Sequence, residues 1–428
     1  MRRRDFLAAS AGAALAAPLA HADAGAPAAS TQVPLLGFAD APIESVDFTG
    51  HATAPLVLEK LELWRIGNRE CMLVGRIRGG LTAYLPSNGR FLDDIELFTG
   101  RVLPFFLGQD LRRIEALIER CHRAHYKLSG LPFWNAIGHI EMLALEAIGL
   151  AAQRSVADLL GGAKRREVAV YLSSRERSTT PEQEIDEFML PKVEATGARA
   201  CKLGIGGRMS RNADAAPGRS EALVKRAREK LGDDFAICVD ANGSYDAKAG
   251  IEAGRMLERY GVSFFEEPCP FEEFEMTRQV ADALTVPVAG GEQDNSPAKW
   301  RWMIAQRVVD IVQPDLFYAG GFLRSLRVAR LAATHGLQCV PHAPRAHAGA
   351  ATLLQFVALL DNPGDHHEFA ASSVGRKSKY AYDPVFVIRD GRIGIPDRPG
   401  FGVTYDAAEL RRIAEPIAFQ AGAVEEGD

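Results

Sequence analysis

The sequence predicts an α/β fold: a modified TIM barrel of the (β/α)7β kind, joined to a small α+β domain made from the N-terminal region and the C-terminal tail. Two observations predict it. Between residues 166 and 384, short apolar runs alternate strictly with amphipathic stretches, the pattern of parallel strands connected by right-handed helical crossovers. The ends of those runs also deliver charged residues at a regular beat: Lys202, Asp240, Glu266, Glu292, Asp315, His342 and Glu368, at intervals of 38, 26, 26, 23, 27 and 26. One strand plus one helix is a repeat of that length, and a barrel turns the carboxyl ends of all its strands toward a single mouth.

Taken in order, the chain begins with Arg2, Arg3 and Arg4 before Phe6 and Leu7. An Ala-rich run to Leu19 follows, and Ala20-His21-Ala22 reads as a cleavage site. Residues 1–22 resemble a twin-arginine export signal, so the expected location is the periplasm; an ordinary Sec signal or an ordered N-terminal helix is the plainer alternative. Residues 23–42, rich in Ala, Pro and Ser, read as a linker. Residues 43–165 form the small domain. Runs at 61–66, 72–77 and 81–85, separated by Gly67-Asn68 and Gly79-Gly80, predict an antiparallel meander. Asp110 can cap a helix carrying Leu111, Ile114, Leu117, Ile118 and Cys121, and Pro132 opens another through Ile137, Ile140, Leu143, Leu145 and Ile148.

The barrel strands are expected at 168–172, 199–203, 236–239, 263–265, 286–289, 310–312, 338–341 and 367–369. Seven helices fall between them, near 181–196, 218–231, 246–259, 271–283, 297–306, 322–335 and 349–360. The eighth helix is missing. Residues 385–428 are therefore expected to return to the small domain, and a hairpin is expected from 385–389 through Asp390-Gly391 to 392–395.

With 428 residues, 47% hydrophobic and 25% charged, the chain can bury a large core in two domains. A formal net charge of -5 gives no general attraction to nucleic acid. No stretch beyond the N-terminus is long and apolar enough to span a bilayer, so after signal removal no membrane partner is expected. The six cysteines contain no CxxC, and Cys201, Cys238 and Cys339 lie in expected strands, which favours free buried thiols over disulfides.

Asp240 stands in V-D-A-N, Glu266 in F-F-E-E-P and Glu292 in A-G-G-E-Q, each at the end of an apolar run. A single loop carboxylate is ordinarily just solvated, but three on successive strands would repel one another. A hard divalent cation such as Mg²⁺, which takes oxygen ligands, resolves that repulsion, with Asn242 and Glu267 as supporting neighbours. On the next two strand ends, Asp315 can hold the ring N–H of His342, fix its tautomer and raise its basicity. That pairing makes a general base, where a lone strand histidine would more ordinarily be a satisfied core residue.

The order of Asp, Glu, Glu, Asp, His and a final Glu on successive strands resembles the mandelate racemase subgroup of the enolase superfamily. D-L-L-G-G (158–162) and I-P-D-R-P-G-F-G-V (395–403) are similar to the segments that close and rejoin its capping domain, and the resemblance covers nearly the whole mature chain. It implies that Asp240, Glu266 and Glu292 bind Mg²⁺, that His342 with Asp315 removes the proton α to a substrate carboxylate, and that the cation stabilises the ene-diolate formed. It further implies that Lys202 and Glu368 serve the carboxylate, that the substrate is a small carboxylate, and that the protein is a homo-oligomer.

One position departs from the family pattern. Where K-x-K is common on the second barrel strand, this chain has Lys202 followed by Gly204, so the lysine base on the face opposite the histidine is missing. Neighbouring lysines cannot slip into register without facing the wrong way. Arg199 and Arg208 remain candidates to reach the site. A single base suits elimination of water from a sugar acid or other hydroxy acid. A racemase or epimerase with another second base, a lactone cycloisomerase, and a non-catalytic metal- and carboxylate-binding homologue stay open. The segment 84–100, with Arg90, Asp93 and Asp94, is the candidate cover over the mouth, and Phe133 and Trp134 read as core of the small domain.

Overall fold

The computed structural model describes residues 46–67 and 70–419; the expected export signal (1–22), the linker (23–42) and the last nine residues lie outside the described residues. Strands β1 (Leu58–Ile66), β2 (Glu70–Ile77) and β3 (Thr82–Asn88) form the antiparallel meander. Two helices follow, α1 (Ile114–Ala124) and α2 (Leu131–Ala152). Asp110 caps the short 3-10 turn before α1 by accepting from Arg112 N. Pro132 sits in the first turn of α2, where its missing N–H leaves no bond unmade.

Helix α2 is buried on every side from Phe133 to Gly149, because it lies between the meander and the barrel. Phe133 and Trp134 are part of this core. The backbone approaches at its two glycines are close: a Cβ at Gly138 would fall 2.6 Å from Phe317 O, and one at Gly149 would fall 2.7 Å from Gly400. Glycine is therefore required at both contacts.

The barrel strands are β4 (Glu167–Ser173), β5 (Ala200–Gly204), β6 (Ala236–Asp240), β7 (Phe264–Glu266), β8 (Val288–Gly290), β9 (Ile311–Val312), β10 (Gln338–Cys339) and β11 (His367–Ala370). All run parallel, hydrogen-bonded in the order β10-β9-β8-β7-β6-β5-β4-β11. Within the barrel, Tyr171, Cys238, Phe264, Ala289, Ile311 and Val340 pack together. Seven helical segments connect the strands. The first of them, 183–196, starts as a π-helix.

Only the tip of the expected hairpin forms: Arg389 and Arg392 pair antiparallel across Asp390-Gly391, exchanging two backbone hydrogen bonds of 2.9 Å. Residues 385–388 are not a strand, and Arg392–Gly394 also pairs antiparallel with the first residues of β4, Ile393 opposite Val168. This part of β4 is free to accept it, because β5 pairs only at Leu172 and Ser173. Farther on, Glu415–Phe419 adds to the edge of β1, Ile417 opposite Leu63. The tail thus touches both parts of the molecule. All six cysteines are buried and free, and no helix among the described residues is long and apolar enough to cross a membrane.

Candidate active site

Parallel pairing puts Gly204, Asp240, Glu266 and Ala289 at one level across four neighbouring strands, so the acids start from a common rim. A cavity of about 940 Å³ opens above it, and Asp240, Glu292, Asp315 and His342 line its inner wall. Glu266, Lys202 and Glu368 lie one layer deeper and are fully buried. Asn242 and Glu267 follow two of the strand ends with φ of +41°, a left-handed conformation uncommon for residues with side chains.

Lys202 bridges two acids: Nζ is 2.7 Å from Glu266 and 3.2 Å from Glu368. It therefore lies beneath the cavity instead of presenting its amine to it. Burial works against its charge, but Glu266 and Glu368 outweigh that and hold it protonated. Glu368 also accepts from Ser173 Oγ (2.7 Å) and Ala343 N (2.8 Å). Burial raises its pKa, yet Lys202, His342 and these hydrogen bonds bring it down to about 2.

The dyad is formed. His342 Nδ1 lies 2.9 Å from Asp315 Oδ2, and the other Asp315 oxygen accepts from Phe317 N and Tyr318 N, so the carboxylate is anchored on both sides. Burial disfavours the imidazolium, but the Glu292 charge and the Asp315 hydrogen bond raise the pKa to about 9. His342 Nε2 is 3.2 Å from Glu292. That contact must open before Nε2 can accept a proton from a substrate.

The donor set fits a hard cation in chemistry and in charge. Asp240, Glu266 and Glu292 offer only oxygen, as Mg²⁺ requires. Glu266 Oε1 and Glu267 Oε1 are buried without a hydrogen-bond partner. Six carboxyl groups (Asp240, Glu266, Glu267, Glu292, Asp315 and Glu368) outnumber the cations near them, Lys202, His342, Arg177 and Arg345, and burial together with neighbouring acids pushes Glu266 up to about 8. The side chains as placed are committed to protein partners, Asp240 to Asn242 (2.8 and 2.9 Å), Glu266 to Lys202 and Glu292 to His342. No three His, Cys, Asp or Glu side chains among the described residues are gathered as a ligand group in that state.

Several participants escaped the sequence reading. Gln313 Nε2 donates to Glu266 Oε2 at 3.0 Å from two residues before Asp315, a spacing that alternation along a strand could have suggested. Ser173, the last residue of β4, was similarly findable. Arg177 was not: it arrives from the loop after β4 and fills the space above Gly204. Its guanidinium donates to the backbone oxygens of Arg175, Ile205, Gly206 and Asp240 and to Asn242 Oδ1. Arg208 lines the cavity, whereas Arg199 does not. Arg90, from the segment 84–100, reaches the cavity and lies 5.6 Å from the centre of the Tyr318 ring; Asp94 instead accepts from Asn135.

A parallel barrel that collects acids and a histidine–aspartate pair at the carboxyl ends of its strands has the build of a barrel enzyme. Residues 184–409 match the family described as Enolase C-terminal domain-like. The chain is 27% identical over 315 residues to an arabinonate dehydratase of Saccharolobus solfataricus, covering 73% of this chain and 81% of that one. It is 27% identical over 322 residues to a D-galactarolactone cycloisomerase of Agrobacterium fabrum, covering 73% and 82%. In fold it is similar to a mandelate racemase/muconate lactonizing protein from Paracoccus denitrificans solved with magnesium, with a TM-score of 0.77 and 24% identity over 85% of this chain and 99% of that one. The chain belongs to the enolase superfamily, in its mandelate racemase/muconate lactonizing family.

Proposed function

We propose that this enzyme removes the proton α to the carboxylate of a sugar acid or related hydroxy acid and eliminates water, giving a 2-keto acid. The observation that carries the reading is one-sidedness. The His342–Asp315 dyad stands at the cavity wall, and the position opposite, above Gly204, holds an arginine locked by five hydrogen-bond acceptors. An arginine in that state does not serve as a base.

In this reading, Asp240, Glu266 and Glu292 hold Mg²⁺, which supplies the positive charge that stabilises the anion formed when the α-proton leaves. His342 Nε2 takes the proton. Asp315 holds the ring by Nδ1 and stabilises the imidazolium, which then gives its proton to the departing hydroxyl on the same face. Lys202 and Glu368 fix the charge balance beneath the substrate. The dehydratase among the relatives supports elimination, and the cycloisomerase keeps ring opening or closure of a lactone as the second reading. We place the enzyme in the periplasm, on the strength of the twin-arginine-like start at Arg2 to Leu7.

The test is to incubate the purified protein with Mg²⁺ and a panel of aldonic and aldaric acids and assay for 2-keto acids. Turnover that is lost in His342→Asn and in chelator supports the reading. Exchange of the α-proton for solvent deuterium with no elimination from any acid would overturn the dehydratase assignment.

A further inference from the structure

The cavity mouth is divided by charge. On the side of β6 and β8 stand Asp240 and Glu292, with Glu266 buried beneath them. On the other side the wall carries Arg175 after β4, Arg208 after β5 and Arg345 after β10, with Arg90 entering from the small domain. Two acids share that side, but Glu176 accepts from Arg177 N and Ser178 and Glu184 accepts from Thr179 Oγ1, so the arginines remain in excess. The guanidinium groups of Arg175 and Arg208 are exposed and have neither a hydrogen bond nor an ion pair among the described residues.

Arg345 is the more telling member. Its guanidinium lies 3.8 Å over the Phe317 ring, and burial draws its pKa down. The acid acting on it most strongly is Asp315, but Asp315 spends Oδ2 on His342 and Oδ1 on the backbone of Phe317 and Tyr318. The donors of Arg345 thus face the cavity with no acceptor. A guanidinium fork in that condition matches the two oxygens of a carboxylate or the oxygens of a phosphate. The cavity, at about 940 Å³, stands at the upper end of the range for small-molecule sites, roughly 300–1,000 Å³. It has room for an extended chain that touches both sides.

We propose that the substrate is a dianion: one carboxylate on the acidic side of the mouth and a second anionic group, a carboxylate in a sugar diacid, held by the arginine arc of Arg175, Arg208 and Arg345. This rests on the proton-abstraction reading for the first carboxylate. It goes beyond that reading by choosing diacids over the monoacids that the same chemistry would accept.

The experiment compares the Mg²⁺-loaded enzyme on aldaric acids, the corresponding aldonic acids and aldonic acid 6-phosphates, alongside the thermal shift caused by tartrate and by glycerate. Aldarates should exceed aldonates in kcat/KM by roughly 10- to 100-fold, the loss typical of removing charged hydrogen bonds. The double variant Arg175→Gln/Arg208→Gln, and separately Arg345→Gln, should bring that ratio toward one and cancel the extra stabilisation by tartrate. Preference for the 6-phosphates over aldarates would overturn the diacid. Equal rates on aldarates and aldonates, or equal losses on both in the arginine variants, would overturn the dianion. If no acid is turned over, yet tartrate still stabilises the protein through the arginines, the proton-abstraction reading fails and the anion site stands.

Discussion

The guanidinium of Arg177 stands where a side chain at Gly204 would begin: a Cβ built there would lie 2.9 Å from Nη1 and 3.1 Å from Cζ. The same guanidinium holds Asn242 Oδ1 at 2.9 Å, and Asn242 in turn holds both oxygens of Asp240. Gly204 is thus a clearance for Arg177, and Arg177 is a positioning residue for Asp240. Gly204→Ala is expected to displace the arginine and to weaken Mn²⁺ binding, followed by titration calorimetry, by about 10- to 100-fold, the loss usual for an outer partner of a metal ligand. Arg177→Ala should match it. Unchanged affinity in both, alongside loss of binding in Asp240→Asn, would show that Arg177 does not act through Asp240.

For the dyad, His342→Asn should lower kcat by about 10²- to 10⁴-fold, the range for a general acid–base residue. Asp315→Asn leaves a side chain of the same shape but removes the charge that stabilises the imidazolium, so it should fall in the same range. Deuterium incorporation at the α-carbon, read by NMR in heavy water, separates the two steps. If exchange persists at the normal rate in His342→Asn, some other group is the base.

The acids and the dyad were legible in the sequence because each lies at or just past the end of an apolar run, and a strand's carboxyl end has only one place to go in a barrel. Arg177 and Arg345 were not, since both sit in loops whose path depends on what the finished barrel leaves open. Lys202 stands on the expected strand, and what the strand position does not reveal is that two buried acids hold its amine beneath the cavity. The tail shows the same division. The bend at Asp390-Gly391 is present, with φ of +48° and +73°. Turn chemistry fixes the bend and its first pair, Arg389 with Arg392, but beyond that pair the strand Arg392–Gly394 lies against the start of β4 and not against residues 385–388.

Among the described residues Lys202 is the only lysine paired with Glu266 and Glu368, and all three are buried. Removing one member of a buried charge cluster strands the others, which typically lowers stability by about 3–5 kcal/mol. Lys202→Met is expected to show that loss as a reduced urea midpoint. Added Mg²⁺ should restore part of it, because a cation binding only the folded state stabilises it by mass action. A variant as stable as the parent in chelator would mean that Glu266 or Glu368 is carried neutral.

The seam between α2 and the C-terminal segment should respond to pH. Glu146 Oε2 accepts from Phe401 N at 2.6 Å and lies where a Cβ at Gly400 would be, so the carboxyl is closed in by backbone. Burial raises its pKa to about 8 against a single opposing hydrogen bond. The folded protein therefore holds a proton on Glu146 over a window, from about 4.5 to about 8, in which the unfolded chain has released it. The stabilisation from that proton is complete below the window and is lost as pH rises through it. Glu146→Gln keeps an acceptor for Phe401 N and has nothing to titrate. Urea unfolding at pH 5 and pH 8.5 should accordingly show a decline in the parent that is smaller in the variant, by on the order of 1 kcal/mol or more. Equal declines in the two proteins would mean that Glu146 is ionised in the fold at neutral pH.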